Sequence, residues 1–166
     1  GDAFGLESAL WFAKNTEDAH EEPTFKRSRS HGYVAAEVEA VRNAVGATEI
    51  ANFAKHEITG TNSRKFLDHI MAGKLPKPGR IALTPMLTPK GKLYGDLTVA
   101  CFNEEKFMIF GSGAAQEMHR RWFEKFLPKE GVIYKNRSDD FHGIAISGPN
   151  SRKLLSKICR DDISAE

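Results

Sequence analysis

The sequence predicts an α+β fold: a largely antiparallel sheet with packed helices and a duplicated strand-turn-helix unit. Three observations predict it. The β-compatible runs RIALTPML (80–87), KLYGDLTVACF (92–102) and KFMIFGS (106–112) are joined only by LTPKG and NEEK, as hairpin-linked strands are. Helical patterns, with apolar residues at three- and four-residue steps, interrupt the strands irregularly, which is the arrangement of an α+β domain. Finally, ITGTNSRKFLDHI at 58–70 recurs as ISGPNSRKLLSKI at 146–158, with Gly, Asn, Ser, Arg and Lys at matching places.

Taken in order, the chain opens without Met on GDAFGLESALWFA and closes on DDISAE, and both runs are expected to belong to a longer polypeptide. Residues 1–32 are expected to be an aromatic anchor (Leu10, Trp11, Phe12) and a charged connector from an upstream domain. Residues 33–166 are expected to be the domain proper. The connector, KNTEDAHEEPTFKRSRSHG, has no apolar period, and its Lys26, Arg27 and Arg29 read as a solvated basic linker rather than an anion site. Tyr33, Val34, Val38, Val41 and Val45 fall at helical steps and Gly46 stands where that helix would end. Ile50 and Ile58 mark two short strands or one bent one.

The repeated phrase reads as strand, turn, helix in both copies. Gly60 turns the chain, Thr61 or Asn62 caps, and a helix runs to Gly73 with Phe66, Leu67 and Ile70 on one face. Gly148, Asn150 and SRKLLSKIC repeat this, with Leu154, Leu155 and Ile158 inward. A Gly turn into a helix start can hold an anion. Single glycines and the absence of a GxxxxGK[ST] loop favour scaffold instead. Between the copies, AAQEMHRRWFEKFL carries Met118, Trp122, Phe123 and Phe126 on one helical stripe and is stopped by Pro128. VIYKNR is a further strand.

Composition excludes several classes of function. Twenty-four basic against 22 acidic residues leave a net charge of +2, which provides no basic field for nucleic acid. No apolar run reaches the ~20 residues of a membrane span, and no secretory signal opens the chain. Cys101 and Cys159 form neither a CxxC nor a metal-ligand spacing, so packing cysteines in a reducing, cytoplasmic setting are expected, with no metal. The partner class that remains is a small-molecule substrate, together with the other domains of the full-length chain.

One stretch breaks the local rules. In GKLYGDLTVA a glycine, Gly95, and a carboxylate, Asp96, interrupt an otherwise β-branched and apolar strand. A carboxylate held on a sheet can accept a proton or steady a cation; the plainer reading is an Asp facing water at the edge of a turn. His56, His69, His119 and His142 have no nucleophile beside them and receive no role. Met86 and Met108 read as core filling or as an adaptable pocket lining.

The run PMLTPKGKLYGDLTV, then MIFGSG and GIAISGPNSRKLL, resembles the folate-binding half of dimethylglycine and sarcosine dehydrogenases, itself similar to the T-protein of the glycine cleavage system. The likeness extends over about residues 5–164, including ALWFA, which resembles the join to a flavin domain. The resemblance implies the first part of a T-protein-like, aminomethyltransferase fold with tetrahydrofolate as cofactor. It implies capture of the one-carbon unit of an oxidised N-methyl amine, dimethylglycine or sarcosine, as 5,10-methylenetetrahydrofolate. It makes Asp96 the catalytic carboxylate and places Met86, Tyr94, Leu83 and Gly111 around the cofactor. Leu83 and Gly111 depart from the T-protein pattern, which usually has Tyr and often Asn there. With no GxGxxG present, FAD is expected only in an upstream domain, and the isolated segment is expected to be inactive. A stand-alone aminomethyltransferase or methyl transferase, or a non-catalytic folate-binding or assembly module, are the alternatives on the same scaffold.

Overall fold

The computed structural model describes residues 1–163 apart from Phe4 and Ser8, so those two positions of the opening run and the last three of DDISAE lie outside the described residues. The elements, in chain order, begin with the two-residue strands β1 (Asp2–Ala3) and β2 (Leu6–Glu7), helix α1 (His31–Asn43) and β3 (Gly46–Glu49). Then come β4 (Ala54–Thr59), α2 (Ser63–Ile70), β5 (Arg80–Leu87), β6 (Leu93–Asn103) and β7 (Lys106–Gly111). A 3-10 turn at Gly113–Ala115 leads into α3 (Gln116–Phe126), followed by β8 (Ile133–Asn136), β9 (Ile144–Ser147) and α4 (Ser151–Leu155). Contacts divide the chain into a terminal unit, Gly1–Thr48 with Ala145–Glu166, and a central unit, Glu49–Ile144. This division does not coincide with the 32/33 boundary expected from composition.

The central unit is built on a five-stranded sheet of order β5-β6-β7-β4-β8, antiparallel at every pairing. The period of two along β6 decides its two faces: Gly95, Leu97, Val99 and Cys101 are buried, whereas Asp96 is exposed and Thr98 and Ala100 are half-buried. On the inner face Leu97, Val99, Ile58, Phe107 and Ile109 meet Phe66, Leu67 and Ile70 of α2 and Phe123 of α3. Each such burial stabilises the fold by roughly 1.5–3 kcal/mol. Pro85, which has no N–H to donate, sits in β5 at the edge of the sheet, where a strand tolerates it.

Several expectations need correction. Helix α2 ends at Ile70 rather than Gly73, because Met71 turns extended and bridges to Met86 while the Ala72 N–H donates to the Pro85 carbonyl at 2.8 Å. Neither Asn62 nor Asn150 caps its helix through its side chain. Helix α4 stops at Leu155, which leaves Leu154 and Leu155 half-buried and Ile158 68% exposed instead of inward. Cys159 is likewise exposed rather than packed. In α1 no residue is buried, and Val34, Val38 and Val41 stand exposed. Gly46 does not end α1 but opens β3.

In α3 the fully inward residues are His119 and Phe123, with Met118 exposed. The connector is organised rather than featureless. The Tyr33 hydroxyl donates to Asp18 Oδ2 at 2.7 Å, the Trp11 indole donates to the Asp18 carbonyl at 3.2 Å, and Arg29 pairs with Glu22 at 3.0 Å. The Tyr33 hydrogen bond holds the Asp18 carboxyl below the usual carboxylate range. No helix among the described residues is long and apolar enough to cross a membrane.

Candidate functional site

Asp96 lies near the start of β6, opposite Pro85 of β5, on the sheet face that α2 and α3 do not cover. The next pair along is Leu83 with Thr98, which makes Leu83 a diagonal neighbour of Asp96 on the same face. Leu83 is 67% exposed and Ile81, two residues before it on the same face, 68%. Among the described residues no hydrogen bond or ion pair engages the Asp96 carboxylate. An unpaired carboxylate set in an apolar, solvent-facing surround is a place where a flat, largely apolar ligand can lie while presenting N–H groups or positive charge to one acceptor.

The other residues of the predicted site lie elsewhere. Met86 has no exposed surface and belongs to the core, and Gly111 is also buried on that inner side. Tyr94 is half-buried and stacks on Trp122 of α3, with ring centroids 4.1 Å apart. The structure therefore brings Asp96 and Leu83 together on the open face and places Met86, Tyr94 and Gly111 behind or beside them. A ligand on the open face cannot touch all five.

The register explains how Tyr94 escapes the face its neighbours dictate. Pairing runs from Met86 with Gly95 directly to Leu87 with Leu93, so Tyr94 is the extra residue of a β-bulge. Bulges re-aim side chains and recur near binding sites. Gly95 removes a side chain here for a definite reason: a Cβ on it would lie 2.8 Å from His119 Nε2 and 3.2 Å from the Met86 methyl. Gly111 serves the same ring, since its Cβ would fall 3.0 Å from His119 Nδ1 and 2.5 Å from Leu97.

His119 is the residue that sequence reasoning passed over. It is 2% exposed, its Nδ1 has no partner, and burial pushes its pKa down. His56 of β4 lies 6.2 Å away, ring to ring, accepting or donating at Tyr134 Oη over 2.9 Å, and burial lowers its pKa to about 4. The available signal was spacing. His119, Phe123 and Phe126 form as regular a helical stripe as the one chosen, but a count of apolar residues alone leaves the histidine out.

No group of three or more His, Cys, Asp or Glu among the described residues could hold a metal ion. A cleft of about 280 Å³, lined by Asn62, Lys65, Phe66, His69, Phe126 and Pro128, lies between the helices, remote from the face that carries Asp96.

Comparison with known proteins adds the following. A family model described as GCVT N-terminal domain matches residues 1–166. The mitochondrial dimethylglycine dehydrogenase of Homo sapiens is 35% identical over 163 residues, which are 96% of this chain and 19% of that protein. An aminomethyltransferase of Thermosipho melanesiensis is 33% identical over 129 residues, 76% of this chain and 36% of its own. The chain thus spans well under half the length of these relatives. The crystal structure of glycine cleavage system aminomethyltransferase T from Bartonella henselae shares the fold, with a TM-score of 0.65 at 18% identity, covering 75% of this chain and 35% of that one.

Proposed function

Since the chain belongs to the GCVT N-terminal domain family, we propose that it is the part of a tetrahydrofolate-dependent one-carbon enzyme that presents Asp96 to the reacting nitrogens. The observation that carries this reading is the unpaired Asp96 carboxylate on an uncovered apolar face, beside Leu83 and Pro85. Those residues suit the group: Leu83 and Pro85 offer apolar surface to a flat ring, and Asp96 is the acceptor a ring N–H needs. Tetrahydrofolate, when bound, supplies the nucleophilic nitrogen for the one-carbon unit. Asp96 takes a proton from an attacking amine and stabilises positive charge on the one-carbon donor. Tyr94, Met86 and Gly111 support this face from the side and from behind.

The donor in this reading is oxidised dimethylglycine or sarcosine, the product is 5,10-methylenetetrahydrofolate, and the flavin that oxidises the amine belongs to polypeptide outside residues 1–166. The longer match to dimethylglycine dehydrogenase, 163 residues against 129 for the aminomethyltransferase, supports it over a stand-alone transferase. Two free cysteines, one of them exposed, suit a reducing compartment such as the cytoplasm.

The test is Asp96→Asn in the full-length enzyme, which keeps shape and removes charge. Folate-dependent capture of the one-carbon unit should fall about 100-fold, while amine oxidation continues and free formaldehyde accumulates. Capture at the wild-type rate would remove Asp96 from the chemistry.

A further inference from the structure

Exposure falls steadily across the face that carries Asp96. The register lines up Leu83 of β5, Thr98 of β6, Phe110 of β7 and Lys55 of β4 in one row. Leu83 is 67% exposed, Thr98 and Phe110 are half-buried, and Lys55 is 3% exposed. The neighbouring row does the same, from exposed Ile81 through half-buried Ala100 to buried Met108. The face is thus open at β5 and β6 and closed towards β4, where it ends on a lysine. Lysine is almost never fully buried unless its charge is paired, yet among the described residues no carboxylate pairs with this one. Its Nζ donates instead to the Ala51 and Phe53 carbonyls, both at 2.8 Å, and its backbone N–H donates to the Ser138 hydroxyl at 2.9 Å. Side chains leave a sheet roughly at right angles, so the turn 51–53 is held above the face rather than beside it. A second contact fixes the same turn. A Cβ on Gly113 would run into the Asn52 carbonyl, and Gly113 follows Gly111, itself packed against Leu97, the residue after Asp96.

We propose that Lys55 is a positioning residue: its ammonium latches the turn 51–53 over the β4 side of the sheet, and that turn forms the wall against which a ring lying on Asp96 is held. This rests on the reading of Asp96 given above. Leu83 and Pro85 bound the ring on the β5 side, and the turn bounds it on the other. The turn's own closing bond, from the Phe53 N–H to the Ile50 carbonyl, is long at 3.4 Å. Lys55 adds two shorter, charge-assisted ones. An ammonium suits this task because it carries several donors on a flexible stem and reaches two carbonyls at once. An apolar side chain would fill the same volume and leave both carbonyls unmet. Gly113, at the end of FGSG, belongs to the same device, because only a residue without a Cβ lets the Asn52 carbonyl come so close.

The test uses the full-length enzyme and three readouts: hydrogen exchange of the peptide 50–54, the tetrahydrofolate Kd by equilibrium dialysis, and capture kinetics. Lys55→Met keeps most of the stem and removes the donors. Exchange in 50–54 should quicken in this variant. Its Kd and KM for tetrahydrofolate should both rise at least ~10-fold with kcat within about twofold, because a wall that touches ground state and transition state alike contributes uniform binding. Gly113→Ala displaces the turn without touching the lysine and should give the same pattern; it replaces Lys55→Met if that variant does not fold. A loss of kcat at unchanged KM, faster exchange at unchanged Kd, or exchange in 50–54 that Lys55→Met leaves unaltered would each overturn the proposal. Normal capture by Asp96→Asn would strike the functional reading instead, and the ratio of Kd values between Lys55→Met and wild type would still decide the role of Lys55.

Discussion

Gly60 and Gly148 both stand at φ 122, each before an Asn and a Ser that open a helix, yet α2 behind the first buries Ser63, Phe66, Leu67 and Ile70 and α4 behind the second buries nothing. The local geometry agrees in detail. The Asn62 N–H donates to the Gly131 carbonyl and the Asn150 N–H to the Ala44 carbonyl, both at 2.9 Å. The Ser63 and Ser151 N–H groups turn back to Gly60 and Gly148 at 3.0 and 3.1 Å. In both copies the glycine is required, since its positive φ and the carbonyl facing it leave no room for a Cβ. The difference teaches that the phrase encodes a turn, and that burial is a separate property conferred by what the turn packs against. Helix α2 lies on a five-stranded sheet, whereas the strand before α4 belongs to a two-stranded one.

The sharpest way to break this comparison is to truncate the matching leucines. Leu67→Ala should destabilise the central unit by about 2–5 kcal/mol through lost burial and the cavity left behind. Leu155→Ala, at a half-buried position, should cost less than about 1 kcal/mol. Chemical denaturation followed through Trp122 reports the first, and equal losses would refute the distinction. Acid should separate the units next. His56 and His119 of the central unit are buried with lowered pKa values, His56 to about 4, despite the nearby Glu117 carboxylate, which raises it. A histidine kept neutral by folding contributes stability that is present above its unfolded pKa, near 6.5, and is lost as pH falls towards its folded value. Amide protection in β4 and β6, taken relative to the intrinsic exchange rate at each pH, should therefore fall between pH 6.5 and 4, by the equivalent of on the order of 3 kcal/mol for His56. Insensitivity over that range would mean the ring is not buried neutral.

The glycines give a smaller effect. Gly60→Ala would bring a Cβ to 2.4 Å from the Gly131 carbonyl and Gly148→Ala to 2.6 Å from that of Ala44. Each adds strain of roughly 1–3 kcal/mol. The loss should be read in different places: faster exchange in β4 and β8 for the first, in β3 and β9 for the second. A Gly148→Ala change that loosened β4 would show that the two copies are coupled.

What could be read beforehand follows the same division between local and long-range effects. The strands of the central sheet, the glycine turns and the antiparallel arrangement were legible, because alternation, turn residues and hairpin lengths are local signals. Helix lengths were not: α2 stops three residues before the expected Gly73 because Met71 finds a partner in Met86, and no local signal announces that bridge. Asp96 was legible as an anomaly, a carboxylate in a strand. The reason for Gly95 was not, since it depends on His119, 24 residues further on and in a helix. The site residues were chosen along the sequence, whereas the sheet sorts them by face, and only Asp96 and Leu83 share the open one.

The smallest predicted effect bears on the asparagines, which a reading from propensity would weight heavily. An Asn at an N-cap is worth about 1 kcal/mol over Ala when its side chain accepts a helix N–H. Here neither Asn62 nor Asn150 does so, and each helix start is tied instead by the Asn backbone N–H to a carbonyl distant in the sequence, Gly131 for the first and Ala44 for the second. In the second copy Ser151 adds a hydroxyl that donates to Gly148 at 2.7 Å. Asn150→Ala keeps every one of those bonds and should change stability by less than about 0.5 kcal/mol. Asn62→Ala should lose slightly more, because the Asn62 side chain packs against Gly131, where an added Cβ would lie 2.3 Å from its amide nitrogen. A loss of a full ~1 kcal/mol or more at Asn150 by thermal denaturation would restore the capping role. It would also mean that the two copies are alike in their side chains as well as in their backbone.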